Sequence, residues 1–331
     1  MSWKVGTLLT RSSARWLSAL LVVLSLGAGR ECLAKSPNVE VRLLSEQAAV
    51  SPGRPFYVGV QMKIREGWHT YWKNPGDAGL PPRIEWSLPE GFEAGEIEWP
   101  APERFAEGTL VTYGYHREVL FPVRITPPNA LGGDSVTIEA TFDWLECADV
   151  CLSASGQLRL VLPTSAEEAR QSADAGLMTD ARSRLPRPAT GWNLSAEAGP
   201  RAISLAFVPP AGVTPRAAYF FVDQPLVVEH AVPQGFEHAG AGYRVTMAPA
   251  ANASGNLARL TGVLVVERGR FQPRMAVQID VPVIPGNPAP APVPKEKAGS
   301  PVIAYAVAGV IIGFALAFIM RRTRRRKSHH T

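Results

Sequence analysis

The chain has 331 residues, 46% of them hydrophobic and 19% charged, with a formal net charge of +5. That composition excludes a disordered polypeptide and accommodates about two domains. The positive balance is not a nucleic-acid signature, because six basic residues fall in the C-terminal run RRTRRRK and no basic stretch is interleaved with aromatics.

From the N-terminus, Lys4, Arg11 and Arg15 precede the apolar run WLSALLVVLSLGAG, which gives way to small residues ending at Ala34. This is the layout of a secretory signal peptide over 1–34, with Cys32 lost on cleavage. At the other end, residues 302–320 are nineteen positions without a charge, a length that matches a bilayer core at about 1.5 Å per residue. The basic run that follows places 321–331 in the cytoplasm and everything before the span outside. The expected location is therefore the inner membrane, single-pass, with the large N-terminal part in the periplasm. Export matters for Cys147 and Cys151, because disulfides persist in an oxidising compartment.

Between signal and span the sequence reads as β. VEVRLLS, PFYVGVQMKI, RIEWSL, EVLFPVRIT, SVTIEATFDWL and QLRLVLP are short, often alternating runs separated by Gly, Pro, Asn and Asp, and they predict an antiparallel sandwich over 35–163. Residues 164–185 turn to Ala, Glu and Arg and predict a helical connector. Strand patterning resumes over 186–284 with WNLSAEA, AISLAFV, AAYFFVD, LVVEHAV, YRVTMAP, LARLTGVLVVER and MAVQIDVPV. IEWSLPEGFE from Ile84 and VEHAVPQGFE from Val228 align without a gap, which predicts a second sandwich related to the first. Six prolines within 285–301 predict an extended stalk. The fold class is thus all-β, two tandem antiparallel sandwiches with a single C-terminal transmembrane helix.

The chemistry concentrates in DWLECADVCLSASGQ, where Cys147 and Cys151 flank a tight turn. Closing so small a ring stabilises a fold by only about 2 kcal/mol, and sandwiches of this size do not depend on it. If TGVLVVERGRFQ of the second block corresponds to ATFDWLECADVCL, then ERGR stands where the cysteines are, and the repeat manages without them. Three readings stand at this point: thiol:disulfide exchange, a structural clip, and a metal site. Metal would need more ligands, and His69, His116 and Met62 lie at no recognisable ligand spacing from the pair. Asp143, Glu146 and Asp149 surround the cysteines with negative charge and are expected to raise the thiol pKa values.

Three motifs in order, GWHTYWKNPGDAGLPPRIEW from Gly67, YGYHREVLFPVRI from Tyr113 and WLECADVC from Trp144, resemble the N-terminal periplasmic domain of the DsbD and ScsB group of thiol:disulfide interchange proteins. The resemblance covers roughly 37–163, and the second block is similar, more loosely, to the extended ScsB ectodomain. It implies immunoglobulin-like sandwiches and a thiol:disulfide oxidoreductase component that works without a cofactor or a bound metal. Cys147 and Cys151 would be the exchanging pair, with Cys151 forming the mixed disulfide. A cap loop would carry Tyr113 and Gly114 over the cysteines. The aromatics Trp68, Tyr71, Trp72, Trp86 and Trp99 are read as packing.

The sequence departs from that family pattern in its shorter cysteine spacing, in Thr112, and in Leu152, Ser153 and Ala154 after the second cysteine. Family members continue into an electron-transporting membrane domain, so the implied partners are a separate membrane donor or thioredoxin-like protein and oxidised periplasmic clients. The contrasting expectation is a non-catalytic, membrane-anchored binding or assembly module with a structural disulfide.

Overall fold

The computed structural model describes residues 34–251 and 257–290. The expected signal peptide, transmembrane span, basic tail and most of the stalk lie outside those residues. No helix among the described residues is long and apolar enough to cross a membrane.

The first half holds β1 (Ala34–Lys35), β2 (Val39–Ser45), β3 (Phe56–Ile64), β4 (His69–Gly76), β5 (Arg83–Ser87), β6 (Glu93–Ile97), β7 (Glu103–Glu107), β8 (Leu110–His116), β9 (Glu118–Thr126), β10 (Ser135–Cys147) and β11 (Cys151–Pro163). They form two sheets, β1-β2-β3-β9-β6 and β11-β10-β4-β8-β7, with β5 flanking β10. Alternation decides the facing. In β10, Val136, Ile138, Ala140, Phe142 and Trp144 are buried on one face, and in β2 Val39, Val41 and Leu43 are. The inner faces of the two sheets share one core that includes Val41, Phe56, Phe121, Phe142 and Trp144.

After the first sandwich come α1 (Ala175–Ser183), β12 (Arg187–Pro188), β13 (Asn193–Ala198), β14 (Ile203–Val208), β15 (Ala217–Val222), β16 (Gly235–Ala239), β17 (Gly242–Met247), β18 (Arg259–Glu267) and β19 (Met275–Pro285). The strand order is β15-β18-β19-β13-β14-β17-β16, with β12 beside β19. Strand β19 serves both halves of this sheet: residues up to Pro282 pair antiparallel with β18, and Val283 to Pro285 pair parallel with β13. The sheet folds over a core that includes Phe207, Phe220, Val245, Leu264 and Ile279.

The two sandwiches repeat one topology. The order β2-β3-β9-β6 recurs as β13-β14-β17-β16, and β11-β10-β4 recurs as β19-β18-β15, with the strands in the same sequence along the chain. Phe92 and Phe236, from the two aligned GFE segments, each pack on their own core. What the second sandwich lacks is a counterpart of the β7–β8 hairpin. At the position of the cysteine turn it has the connection from Arg268 to Arg274 between β18 and β19.

Two local expectations change. The predicted connector helix over 164–185 is only nine residues long, because residues 164–171 run alongside the first sandwich instead, with bridges at Val50↔Thr164 and Gln47↔Gln171. Met178 and Ala181 of α1 bury against Leu44 and Leu120. The predicted strand over LVVEHAV is not a strand. Leu226 turns the chain with φ +60°, only Val228 bridges, to Pro249, and His230 is buried.

The first core runs on into Phe221, Val263 and Val265 of the second sandwich. At this junction Asn74 Nδ2 donates to the carbonyls of Val222 (2.8 Å) and Gln224 (3.3 Å), and Lys73 pairs with Asp223 at 2.8 Å. Both sandwiches belong to one compact unit.

Candidate functional site

Strands β10 and β11 pair in unbroken register from Ser135↔Pro163 to Cys147↔Cys151, so the two cysteines face each other at the turn end of the hairpin. They are joined by a disulfide, with Cα atoms 4.2 Å apart. Only Ala148, Asp149 and Val150 connect them, and the Ala148 amide donates to the Val150 carbonyl at 3.1 Å.

Parity along the strands decides what surrounds the disulfide. The inward residues of β10 are even-numbered up to Trp144, so Cys147 belongs to the outer face of the sheet. Its neighbour across to β4 is His69, and His69 is in turn opposite His116 on β8, so Cys151, Cys147, His69 and His116 form a row across four adjacent strands. Tyr71 shares that outer face and stands opposite Gly114. On β7 the register of Phe105 with Thr112 puts Phe105 there as well.

Within this row the two sulfurs differ. Cys147 is buried, and the Tyr71 hydroxyl donates to its Sγ at 2.8 Å; the same hydroxyl lies 3.4 Å from Cys151 Sγ. Cys151 is exposed, with exposed Val150 and Leu152 on either side. Burial raises the pKa of Tyr71 above the usual phenol range, with a smaller push from Glu107, so the hydroxyl keeps the proton it donates. The ring of Tyr71 is held from below by Gly79, whose φ of +105° and lack of a side chain are both required: a Cβ there would sit 2.3 Å from the ring.

His69 is stacked on Phe105, with ring centroids 4.8 Å apart, and meets Tyr71 edge-on at 5.3 Å. Burial lowers its pKa, partly opposed by Glu107, so the imidazole is neutral at neutral pH. Its Nε2 is buried without a hydrogen-bond partner among the described residues. Phe105 of the β7–β8 hairpin, stacked on His69, therefore completes with His69 and Tyr71 of β4 a wall beside Cys147, and Cys151 is left open.

The residues singled out in sequence are only partly brought together. Cys147 and Cys151 are bonded. Gly114 sits directly opposite Tyr71, and a Cβ there would lie 1.8 Å from the Thr70 carbonyl oxygen, so only glycine permits β8 to pack against β4 at this point. Tyr113, expected to shield the pair, does not: one residue from Gly114, it faces the opposite side of the sheet. It is completely buried, with its hydroxyl 2.8 Å from the Tyr219 hydroxyl and 2.9 Å from His230 Nδ1.

The acidic flanks also separate. Glu146 points to the core side, away from Cys147, where Ser36, Asn38 Nδ2 (2.9 Å) and Trp144 Nε1 (3.3 Å) donate to its carboxylate. Asp143 is opposite Arg83 on β5, and Asp149 is exposed on the turn. Among the described residues no set of three or more His, Cys, Asp and Glu side chains is arranged to hold a metal ion. Sequence reasoning missed Tyr71, His69 and Phe105 as site residues. The signal available was the parity of His69 and Tyr71, but the pairing of β4 with the end of β10 is a tertiary fact.

An exposed sulfur bonded to a buried one, with a hydroxyl aimed at the buried sulfur, is a geometry suited to thiol attack from outside and thiolate release inside. Comparison with known proteins agrees with the class of chemistry. Residues 40–163 match the family described as thiol:disulfide interchange protein DsbD, N-terminal. Among solved structures, the N-terminal periplasmic domain of ScsB from Proteus mirabilis aligns with a TM-score of 0.56 at 19% identity, over 76% of this chain and 97% of that one. That share exceeds what 40–163 alone supplies, so the likeness of fold extends into the second sandwich. A conserved domain protein from Bacillus anthracis (TM-score 0.24, 10% identity, 76% of this chain and 88% of that one) and the sporulation control protein Spo0M from Bacillus subtilis (0.21, 11%, 74% and 91%) are too distant in shape to add to this. No curated protein matches the chain.

Proposed function

We propose, on the match of residues 40–163 to the DsbD N-terminal family, that this chain is a thiol:disulfide interchange relay that passes reducing equivalents through Cys147 and Cys151. The observation that carries the reading is the asymmetry of the pair: Cys151 exposed between exposed Val150 and Leu152, Cys147 buried with the Tyr71 hydroxyl at its sulfur.

The chemistry follows from that asymmetry. A thiolate of a reduced donor attacks Cys151 Sγ, forming a mixed disulfide and breaking the Cys147–Cys151 bond. The electron pair leaves on Cys147 Sγ, where the Tyr71 O–H meets it as a charge-assisted hydrogen bond. The donor's second thiolate then attacks the mixed disulfide, leaving the donor oxidised and the chain with two reduced cysteines. In the outward half-reaction the Cys151 thiolate attacks a client disulfide, and Cys147 resolves the adduct by re-forming the bond to Cys151. Two electrons move in each half.

The chain is read as exported by its 1–34 signal and held at the inner membrane by 302–320, with both sandwiches in the periplasm. A membrane or thioredoxin-like protein acts as donor, and oxidised periplasmic proteins are the clients. The test is a redox titration of the full chain against glutathione and dithiothreitol, together with partner trapping by Cys147→Ser. The relay predicts a potential above about −300 mV and a trapped adduct on Cys151. A disulfide that neither reagent reduces in the folded protein would leave a structural clip on a binding module.

A further inference from the structure

We propose that the second sandwich determines which sulfur a partner attacks, by pinning the β7–β8 hairpin so that the wall stays beside Cys147 and only Cys151 is open. This rests on the exchange reading above and assigns Tyr113, Tyr219 and His230 as positioning residues.

Three observations converge on the hairpin. It has no counterpart among the described residues of the second sandwich, so it is an addition to the shared topology. Its outer face makes the wall: Phe105 on His69, Gly114 against Tyr71, and Glu107 close enough to act on the titration of both His69 and Tyr71. Its inner face contributes Val111, Tyr113 and Tyr115 to the first core, and through Tyr113 it is also tied to the second sandwich. The Tyr113 ring meets Phe221, Tyr219 and His230 at centroid distances of 4.9, 6.1 and 5.0 Å, and its aromatic contacts among the described residues are these three.

The polar groups of that contact form a closed account. The Tyr113 hydroxyl lies 2.8 Å from the Tyr219 hydroxyl and 2.9 Å from His230 Nδ1, so all three groups find a hydrogen-bond partner with both tyrosines protonated and His230 neutral. Burial supports these protonation states, raising both tyrosines and lowering His230. On the sheet side β8 pairs with β4 whereas β7 pairs only with β8, so Phe105 stands on the edge strand. Without the second sandwich the β7 edge would lose this tie and Phe105 would lift from His69, opening the wall beside Cys147.

The test reads the sulfur that reacts. The oxidised full chain is treated with glutathione, whose thiolate adds to one cysteine sulfur while the other leaves as thiolate. The reaction is quenched by alkylation, and fragment mass spectrometry places the glutathione on Cys147 or Cys151. The natural chain is expected to carry it on Cys151. The Tyr113→Phe/Tyr219→Phe double variant, and separately His230→Phe, are expected to raise the Cys147 share about fivefold, the factor that one net hydrogen bond allows. Phe105→Ala, which removes the wall directly, is expected to do the same with the pin intact. If Phe105→Ala shifts the adduct while the pin variants, still folding cooperatively, keep the natural preference, the second sandwich does not position the wall. If Phe105→Ala shifts nothing, the wall itself is refuted. If no chain forms an adduct at either sulfur, the exchange reading fails and this inference with it.

Discussion

The Tyr71 hydroxyl lies 2.8 Å from Cys147 Sγ and donates to it. A hydrogen bond to a charged group contributes about 1.5–3 kcal/mol, against about 1 kcal/mol for a neutral pair, so the contact strengthens as Cys147 becomes thiolate. Tyr71→Phe should therefore slow reduction of the disulfide by glutathione about tenfold while costing about 1 kcal/mol of stability. Stopped-flow reduction kinetics beside urea unfolding separates the two; equal rates in both chains would remove Tyr71 from the reaction.

Glu146 and Cys147 are adjacent in sequence and on opposite faces of β10. Glu146→Ala leaves the donors of Ser36, Asn38 and Trp144 without their acceptor and should cost about 3 kcal/mol in chemical unfolding. Glu146→Gln, which keeps an acceptor there, should leave the glutathione reduction rate within about twofold, because the side chain does not face the sulfur. A large rate change in Glu146→Gln would restore the idea that the acidic flank governs the thiols.

Gly114→Ala places a methyl 1.8 Å from the Thr70 carbonyl oxygen, a backbone atom that cannot rotate away. The β4–β8 pairing has to open, at a cost of about 3 kcal/mol, and Tyr71 moves with it. A thermal midpoint lower by roughly 5 °C or more, accompanied by slower disulfide reduction, is the expected pair of results. A stable variant with unchanged kinetics would show that β8 is free to shift.

The parts of the molecule that sequence could reveal are those governed by local patterning. VEVRLLS and EVLFPVRIT have the bounds of β2 and β9: β2 alternates at its start, and β9 is a short apolar, β-branched run closed by polar residues. HTYWKNPG hid β4, since His69 to Trp72 are buried on both faces and Pro-Gly closes the segment, so nothing alternates. The β7–β8 hairpin was equally invisible: ERFAE is polar, and the contacts of Tyr113 with Tyr219, Phe221 and His230 come from more than a hundred residues away. The cysteine pair was legible because its chemistry needs only spacing and compartment. Tyr71 and His69 were not, because their approach to Cys147 depends on which strand lies beside the end of β10. Tyr113 was expected over the cysteines for a related reason: its parity, which turns it to Tyr219 and His230, is set by the β4–β8 register and not by its motif.

Two buried histidines make stability depend on pH in a direction that can be worked out. Burial lowers the pKa of both His69 and His230 from the ordinary 6.5. In the unfolded chain each takes up a proton as the pH falls through about 6.5, whereas in the folded chain each resists until lower pH. Below about 6.5 the unfolded state binds more protons, so stability is fully present above that value and is lost as the pH falls toward the folded pKa values. Each histidine contributes a slope of at most about 1.4 kcal/mol per pH unit within that window. Urea unfolding at pH 7.5 and 5.5 should show the loss, and it should shrink in His69→Gln and again when His230→Gln is added. His230 lies in the Tyr113 contact and His69 in the wall beside Cys147, so acid should also raise the share of glutathione found on Cys147. A stability profile that is flat between these pH values would mean that neither imidazole is held neutral by burial.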